Sequence, residues 1–169
     1  MSDAIRPDAI RPNAIRPVTP ADVPRLRALL QALSDEDGGT YQVGSQAALS
    51  QALFAPAPLI FALIADQGMA FYYPDFSTHR GEAGVYIQDL YVTPQARGTG
   101  LARALLAAVM HHQAWGARFM TLGVSPENIA ATRFYAKTGF TPRGYAMMIL
   151  DGLPLKELAP KDLAPKDLA

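Results

Sequence analysis

Apolar positions along the chain alternate between helical and strand spacing. Val23, Leu26, Leu29, Leu30 and Leu33 recur at the helical period. Before them, Thr19 suits a cap, Pro20 the first helical position and Asp22 the positive end of the helix dipole. The polar run Ser34-Asp35-Glu36-Asp37-Gly38-Gly39 breaks this helix, and Ser45 can cap a second, short one through Phe54. PLIFALIA, from Pro58 to Ala65, reads as a short buried strand, and Asp66-Gln67-Gly68 as a hairpin-type turn. Met69 to Phe76 is the next strand, with Pro74 marking an edge or a bend. A polar loop from Ser77 to Glu82 leads to a β-branched and aromatic strand from Val85 to Val92, which Pro94 ends. LARALLAAVM predicts a helix from Gly98 to about Trp115. Phe119 to Val124 predicts a strand. Ser125 and Pro126 then start a helix carrying Ile129, Ala130, Phe134 and Tyr135, which stops at Gly139. Phe140 to Leu150 predicts a last strand or pair of strands, divided at Gly144.

The order is therefore β–α–α–β–β–β–α–β–α–β(β). Short connections make most of the sheet antiparallel, and the strand–helix–strand unit in the middle predicts one parallel pair. The class is α/β, in the α+β sense of one mixed sheet flanked by helices. Residues 3 to 17 repeat DAIRP, DAIRP, NAIRP, and residues 156 to 169 repeat KELAP, KDLAP, KDLA. The period is too short for a solenoid. We expect flexible tails over 1–13 and 153–169 around one domain at 14–152, with the third repeat copy forming the first strand.

The most informative stretch is VYIQDLYVTPQARGTGLARALL, from Val85 to Leu106. It places a Gly-containing loop between a strand and a helix start. Gly98 and Gly100 let backbone N–H groups approach a ligand closely. The helix start adds unpaired N–H groups and a positive dipole end, so a phosphate or pyrophosphate site is expected. The loop is not a P-loop, since no Gly-Lys-Ser/Thr follows. Nor is it a dinucleotide fingerprint, since Arg103 stands where the third glycine belongs. The plain alternative is an ordinary turn.

Composition narrows the partners. Half of the 169 residues are hydrophobic, enough for a single core. Formal net charge is zero, so no broad field favours nucleic acid or an anionic membrane. There is no cysteine, hence no thiol nucleophile, disulfide or thiolate metal ligand. No apolar run is long enough for a bilayer span and the N-terminus has no signal core, so a cytoplasmic location is expected. His79, His111 and His112 lack ligand spacing with acidic groups, so no metal is expected.

Gln95-Ala96-Arg97-Gly98-Thr99-Gly100 resembles the Gln/Arg-x-x-Gly-x-Gly/Ala loop of the GNAT N-acetyltransferases. The strand ending Leu90-Tyr91-Val92-Thr93-Pro94 precedes it, as in that family. Asn128, with Arg133-Phe134-Tyr135-Ala136-Lys137-Thr138-Gly139-Phe140, resembles the family's second motif. The resemblance spans about Ala14 to Leu150 and is weak from Asp35 to Ala57. Within the family, MAFYYPDFSTHRGEAGVYIQDLYV looks most like the diamine and thialysine acetyltransferase branch, although Gln88 stands where that branch has Glu.

The resemblance implies the GNAT acyl-CoA N-acyltransferase fold, with the sheet splayed at its parallel pair. It implies acetyl-CoA as co-substrate and a small-molecule amine, such as a polyamine or amino-acid-like amine, as acceptor. Amides from Arg97 to Ala102, through Gly98, Thr99, Gly100 and Leu101, would hold the pyrophosphate, with Gln95 beside them. The backbone of Leu90, Tyr91 and Val92 would pair with pantetheine like an added strand, and an N–H near Val92 would bind the thioester oxygen. Tyr135 is the expected general acid and Asn128 a cofactor contact, although Asn128 also suits local helix chemistry. Tyr41, Tyr73, Asp75 and Gln88 are the expected acceptor contacts, and Tyr72, Tyr73 and Phe76 can form either an aromatic wall or core. Members of the family often dimerise, so a homodimer is expected too.

The base stays open. Alternation puts Tyr86, Gln88, Leu90 and Val92 on one face and Val85, Ile87, Asp89 and Tyr91 on the other. The resemblance turns the Gln88 face to the substrate. Asp89 reaches it only through a bulge. Otherwise Gln88 orders a water, with Glu82 or Asp75 as distant acceptors. Two further readings are a protein or peptide N-acetyltransferase and a non-catalytic acyl-CoA sensor.

Overall fold

The computed structural model describes residues 14–39, 42–144, 147–152, 154 and 155. Tyr41 and the first two repeat copies lie outside the described residues, as does the whole second repeat segment. Strands β1 (Arg16–Pro17), β2 (Phe61–Ala65), β3 (Gly68–Ser77), β4 (Glu82–Val92) and β5 (Phe119–Leu122) form one sheet in that order. Neighbours are antiparallel up to β4, and β4 and β5 run parallel. The third repeat copy does supply β1, with Arg16 opposite Ile64 and Pro17 opposite Leu63.

Strand alternation sends side chains into two cores. On one face, Ala62, Ile64, Met69, Phe71 and Tyr91 pack with Leu26 and Leu29 of α1 (Val23–Glu36) and Leu53 of α2 (Gln46–Phe54). On the other, Leu63, Ala70, Tyr72, Val85, Ile87 and Val92 pack with Leu101, Leu105, Leu106 and Val109 of α3 (Leu101–His112). Phe134 of α4 (Ile129–Thr138) packs against this second core. Tyr72 therefore belongs to the core and not to an acceptor wall. Its ring is fully buried, burial pushes the phenol up to about 12, and its hydroxyl meets His112 Nδ1.

Several boundaries differ from the sequence expectation. Pro20–Asp22 forms a 3₁₀ turn without a Thr19 side-chain cap, so α1 starts at Val23, and α3 spans Leu101–His112 and not Gly98 to Trp115. α1 runs through Ser34, Asp35 and Glu36, because the break is made by Gly38 and Gly39 and not by the polar residues before them. α4 begins at Ile129: the Asn128 side chain, not Ser125, accepts the Ala131 N–H at 3.0 Å, and Ser125 closes the preceding turn. The described residues between Phe140 and Leu150 form no strand. They do not pair with β5, and Met147, Met148, Ile149 and Leu150 are exposed.

Gly84 explains how β4 and β5 come together. It stands opposite Phe119, and a Cβ there would sit 2.3 Å from the Phe119 ring. Trp115 Nε1 donates to the Gly84 carbonyl at 2.8 Å and Arg118 N–H to the Ala83 carbonyl at 2.8 Å, fixing the start of the parallel pair.

Candidate active site

The parallel pairing is short. Gly84, Val85, Tyr86 and Ile87 match Phe119, Met120, Thr121 and Leu122, and there it stops, while β4 continues to Val92. The strands are thus splayed beyond Ile87. The Thr93 N–H donates to the Gln67 carbonyl at 2.9 Å. Antiparallel alternation then turns the Tyr91 peptide toward β3 and the Leu90 and Val92 peptides toward the open edge. Of the expected Leu90–Val92 backbone surface, Leu90 and Val92 face the cleft and Tyr91 does not. The Val92 carbonyl is already engaged, accepting from Arg97 Nε at 3.2 Å.

A β-bulge sits where the splay begins. Tyr72 stands opposite Ile87 and Phe71 opposite Asp89, so Gln88 is the extra residue. This overturns the simple two-residue alternation along β4. Val85 and Ile87 point to the α3 core, yet beyond the bulge it is Leu90 and Val92 that do so. Asp89 thereby shares the α1 face with Tyr73, Tyr86 and Tyr91, and Gln88 is exposed at the kink. Tyr73 and Tyr86 stack at 5.0 Å on that face. Asp89 is largely buried, and its carboxyl is pushed up to about 6, mostly by burial and secondarily by the charge of Asp37.

The loop below the cleft has the geometry of an anion cradle. Gln95 is exposed in a 3₁₀ turn over Pro94–Ala96. Gly98 has φ +78° and Gly100 φ +90°, the left-handed region that L side chains rarely adopt. Nothing lies within 4 Å of a Cβ at either position, so the space in front of them is open. The Arg97 and Thr99 amides turn inward to Pro94 and Ala96 carbonyls at 3.3 and 3.4 Å. The Gly98 and Gly100 amides are left beside the first-turn amides of α3, Leu101 and Ala102 among them, which lack intrahelical partners. A pyrophosphate therefore fits this loop, held by backbone N–H groups and the helix dipole. The Arg97 guanidinium serves elsewhere: it pairs with Glu36 and the Val92 carbonyl.

Glu36 and Asp37, from the acidic cluster at 35–37 that reads either as a solvated loop or as a binding-site mouth for a cationic amine, close the cleft. Glu36 accepts from Tyr91 Oη at 2.8 Å and from Arg97, and both hydrogen bonds hold its carboxyl below the usual range. Asp37 Oδ1 accepts from Asn128 Nδ2 at 3.4 Å. Asn128, expected on the cofactor, thus spends its amide on capping α4 and on Asp37. Tyr135 is largely buried between Phe134 and Phe140, with its phenol pushed up to about 12 by burial and by Asp37. The one sequence signal for Glu36 and Asp37 is the acidic run at 35–37, which also fits a solvated loop.

A groove of about 1120 Å³ opens beside β5, lined by Asp75, Tyr86, Thr121, Tyr135, Phe140 and Met147 among others. Asp75 accepts from Thr121 Oγ1 at 2.7 Å and from the Phe76 N–H at 2.7 Å. The groove brings Asp75 and Tyr135 together. Asp89 and Gln88 stand beyond it, past Tyr86 on β4. Among the described residues no group of three or more His, Asp or Glu is placed to hold a metal, and no helix is long and apolar enough to cross a membrane.

Comparison with known proteins agrees with this architecture. An integron cassette protein from the mobile metagenome of Vibrio cholerae superimposes with a TM-score of 0.68 at 21% identity, covering 88% of this chain and 98% of that one. An aminoglycoside acetyltransferase from an uncultured soil metagenomic sample, solved with sisomicin, gives 0.66 at 15% identity, covering 84% and 97%. Both likenesses show the fold. An uncharacterized N-acetyltransferase of Mycobacterium bovis is 48% identical over 61 residues, which are 36% of this chain and 39% of that protein. The chain thus spans about two fifths of the length of that curated relative. The family model for the acetyltransferase (GNAT) family matches residues 26–140, from α1 through the splay and the glycine loop to the end of α4, and the chain belongs to that family.

Proposed function

We propose that this protein transfers an acetyl group from acetyl-CoA to a small primary amine. The observation that carries the proposal is the bulge at Gln88. It opens β4 to the cleft and turns Asp89 to the face shared with Tyr73 and Tyr86. Acetyl-CoA supplies the thioester. The amides of Gly98, Gly100, Leu101 and Ala102 bind its pyrophosphate, and the Leu90 carbonyl and Val92 N–H pair with its pantetheine arm. The Leu90 N–H, two residues before Val92 and nearest the bulge, stabilises charge developing on the thioester oxygen.

An alkylammonium must lose a proton before it attacks. Asp89, with its carboxyl at about 6, is ionised above that pH and is a stronger base than an ordinary aspartate. It accepts the proton directly or through a water ordered by Gln88. The nitrogen then bonds to the acetyl carbon as the carbon–sulfur bond breaks, and the electron pair leaves on sulfur. Tyr135 is protonated throughout the neutral range. Full proton transfer from a phenol near 12 to a thiolate of ordinary basicity is uphill by about 5 kcal/mol. Tyr135 therefore acts as a hydrogen-bond donor to the departing sulfur; the nitrogen, cationic after attack, gives its second proton to the thiolate, and the first leaves Asp89 for solvent.

The acceptor enters by the groove along Tyr86 and Asp75, where stacked Tyr73 and Tyr86 and the anionic Asp75 suit a cationic amine. Diamines and polyamines, as in the thialysine and diamine branch, fit this chemistry, as does an amino sugar of the kind carried by sisomicin. A panel of these amines, with peptide N-termini and lysine peptides included, tests the reading. We expect thiol release matched one to one by N-acetylated amine, reduced roughly 10–100-fold by Tyr135→Phe with acetyl-CoA affinity retained. Tight acetyl-CoA binding with no product from any amine would replace this reading with that of an acyl-CoA sensor, and turnover confined to peptides with that of a protein acetyltransferase.

A further inference from the structure

Asp37 is not part of either family-like motif, yet its carboxylate meets Asn128 of the second. It follows the last turn of α1, and its carboxylate takes the Nδ2 hydrogen bond of Asn128 at the start of α4. Its neighbour Glu36 is bound to the other side of the cleft, through Tyr91 and Arg97. The end of α1 is thereby pinned to both lips of the splay. Through Tyr91, Glu36 sets this end of α1 over the face that Tyr91 shares with Asp89, and Asn128 heads the helix that carries Tyr135, so the Asp37 charge bears on both groups.

We propose that Asp37 is a positioning residue for proton transfer, a fixed negative charge that Asn128 holds against both the base Asp89 and the hydroxyl donor Tyr135. This rests on the reading of Asp89 as the base. A like charge disfavours ionisation of each group. Asp37 thus makes Asp89 more basic and keeps Tyr135 in its donor form. The other titratable groups packed around Asp89 do not supply this field. Glu36 is paired with Arg97, β3 and β4 offer the phenols Tyr73, Tyr86 and Tyr91, and their carboxylates Asp75 and Glu82 lie toward the far end of the pair. Arg25 and Arg27 of α1 turn to the Asp66 and Gly44 carbonyls, Asp35 accepts from Gln31, and besides Tyr135 α4 adds only the cations Arg133 and Lys137. α2 and β5 carry no titratable side chain.

The test is the pH profile of kcat/KM for acetyl transfer at low salt. Asp37→Asn should move the acidic limb down by roughly 0.3–1 pH unit, and Asp37→Glu should restore it. Because Asp37 is exposed, raising the salt should move the wild-type limb the same way and leave Asp37→Asn nearly unchanged. A purely structural role would lower the rate without moving the limb. An unmoved limb in Asp37→Asn, with Asp89→Asn abolishing it, overturns the inference and leaves the base assignment standing. An Asp89→Asn enzyme with the wild-type limb instead removes the base assignment itself. If Asp37→Asn does not fold, a carbon-detected NMR titration of the wild-type Asp89 carboxyl decides. A midpoint that falls with added salt supports the coupling, and a salt-independent midpoint overturns it.

Discussion

Replacing Asp89 by asparagine should make the protein more stable and less active at once. The carboxyl is largely buried and has no hydrogen-bond partner among the described residues, so ionising it in the folded state is unfavourable. Its folded value, about 6, lies above the ordinary 3.8. The sign follows from linkage. Between pH 4 and 6 the folded state keeps a proton that the unfolded state has released, so stability falls as pH rises through this window and is flat above it. A gap of about two pH units corresponds to about 3 kcal/mol by pH 7–8. Asparagine never ionises and should recover much of that, within the usual twofold scatter of such effects. Urea unfolding of both proteins at pH 4.5 and pH 8 is the assay. The variant should exceed wild type by only about 1 kcal/mol at the lower pH and by about 2–3 kcal/mol at the higher. A difference that does not change with pH, or a variant less stable at pH 8, would refute the burial of an ionisable Asp89 behind the bulge.

Gly98→Asp puts a side chain and a negative charge into the open space before the loop amides, at a left-handed backbone position. Acetyl-CoA affinity by calorimetry should fall at least tenfold, with folding destabilised by only about 1–2 kcal/mol. Unchanged affinity would remove the loop from the cofactor site. Gly84→Ala forces a methyl group against the Phe119 ring, so it should lower folding stability by roughly 1–3 kcal/mol in denaturant melts, and a neutral effect would contradict the close β4–β5 approach. At that far end of the pair it should change kcat less than Asp89→Asn does.

Much of the fold was legible because its signals are local. The alternating apolar runs of β2, β3 and β4, the Ser45 cap and the glycine loop each carry their own physics in a few residues. The Ser45 hydroxyl accepts the Ala48 N–H as its position implies. What was not legible depends on pairing between distant segments. The parity change along β4 comes from β3 having one residue fewer between Phe71 and Tyr72 than β4 offers opposite, which no window of β4 alone reveals. The Phe140–Leu150 run has strand-like composition, but pairing with β5 decides the outcome, and its described residues do not pair. Likewise Glu36 and Asp37 look like solvated loop residues until α1 is seen ending over the splay, against Tyr91, Arg97 and Asn128.

The central claim is that the open edge of β4 and the glycine loop together receive acetyl-CoA. Residue-resolved amide exchange, with and without saturating CoA, tests it most directly. The account predicts protection or large shifts at the Leu90 and Val92 amides and at Gly98, Gly100, Leu101 and Ala102. Tyr91 and Thr93, already turned toward β3, should hardly change. Unchanged Leu90 and Val92 amides at saturation, with protection confined to the groove around Phe140 and Met147, would contradict it.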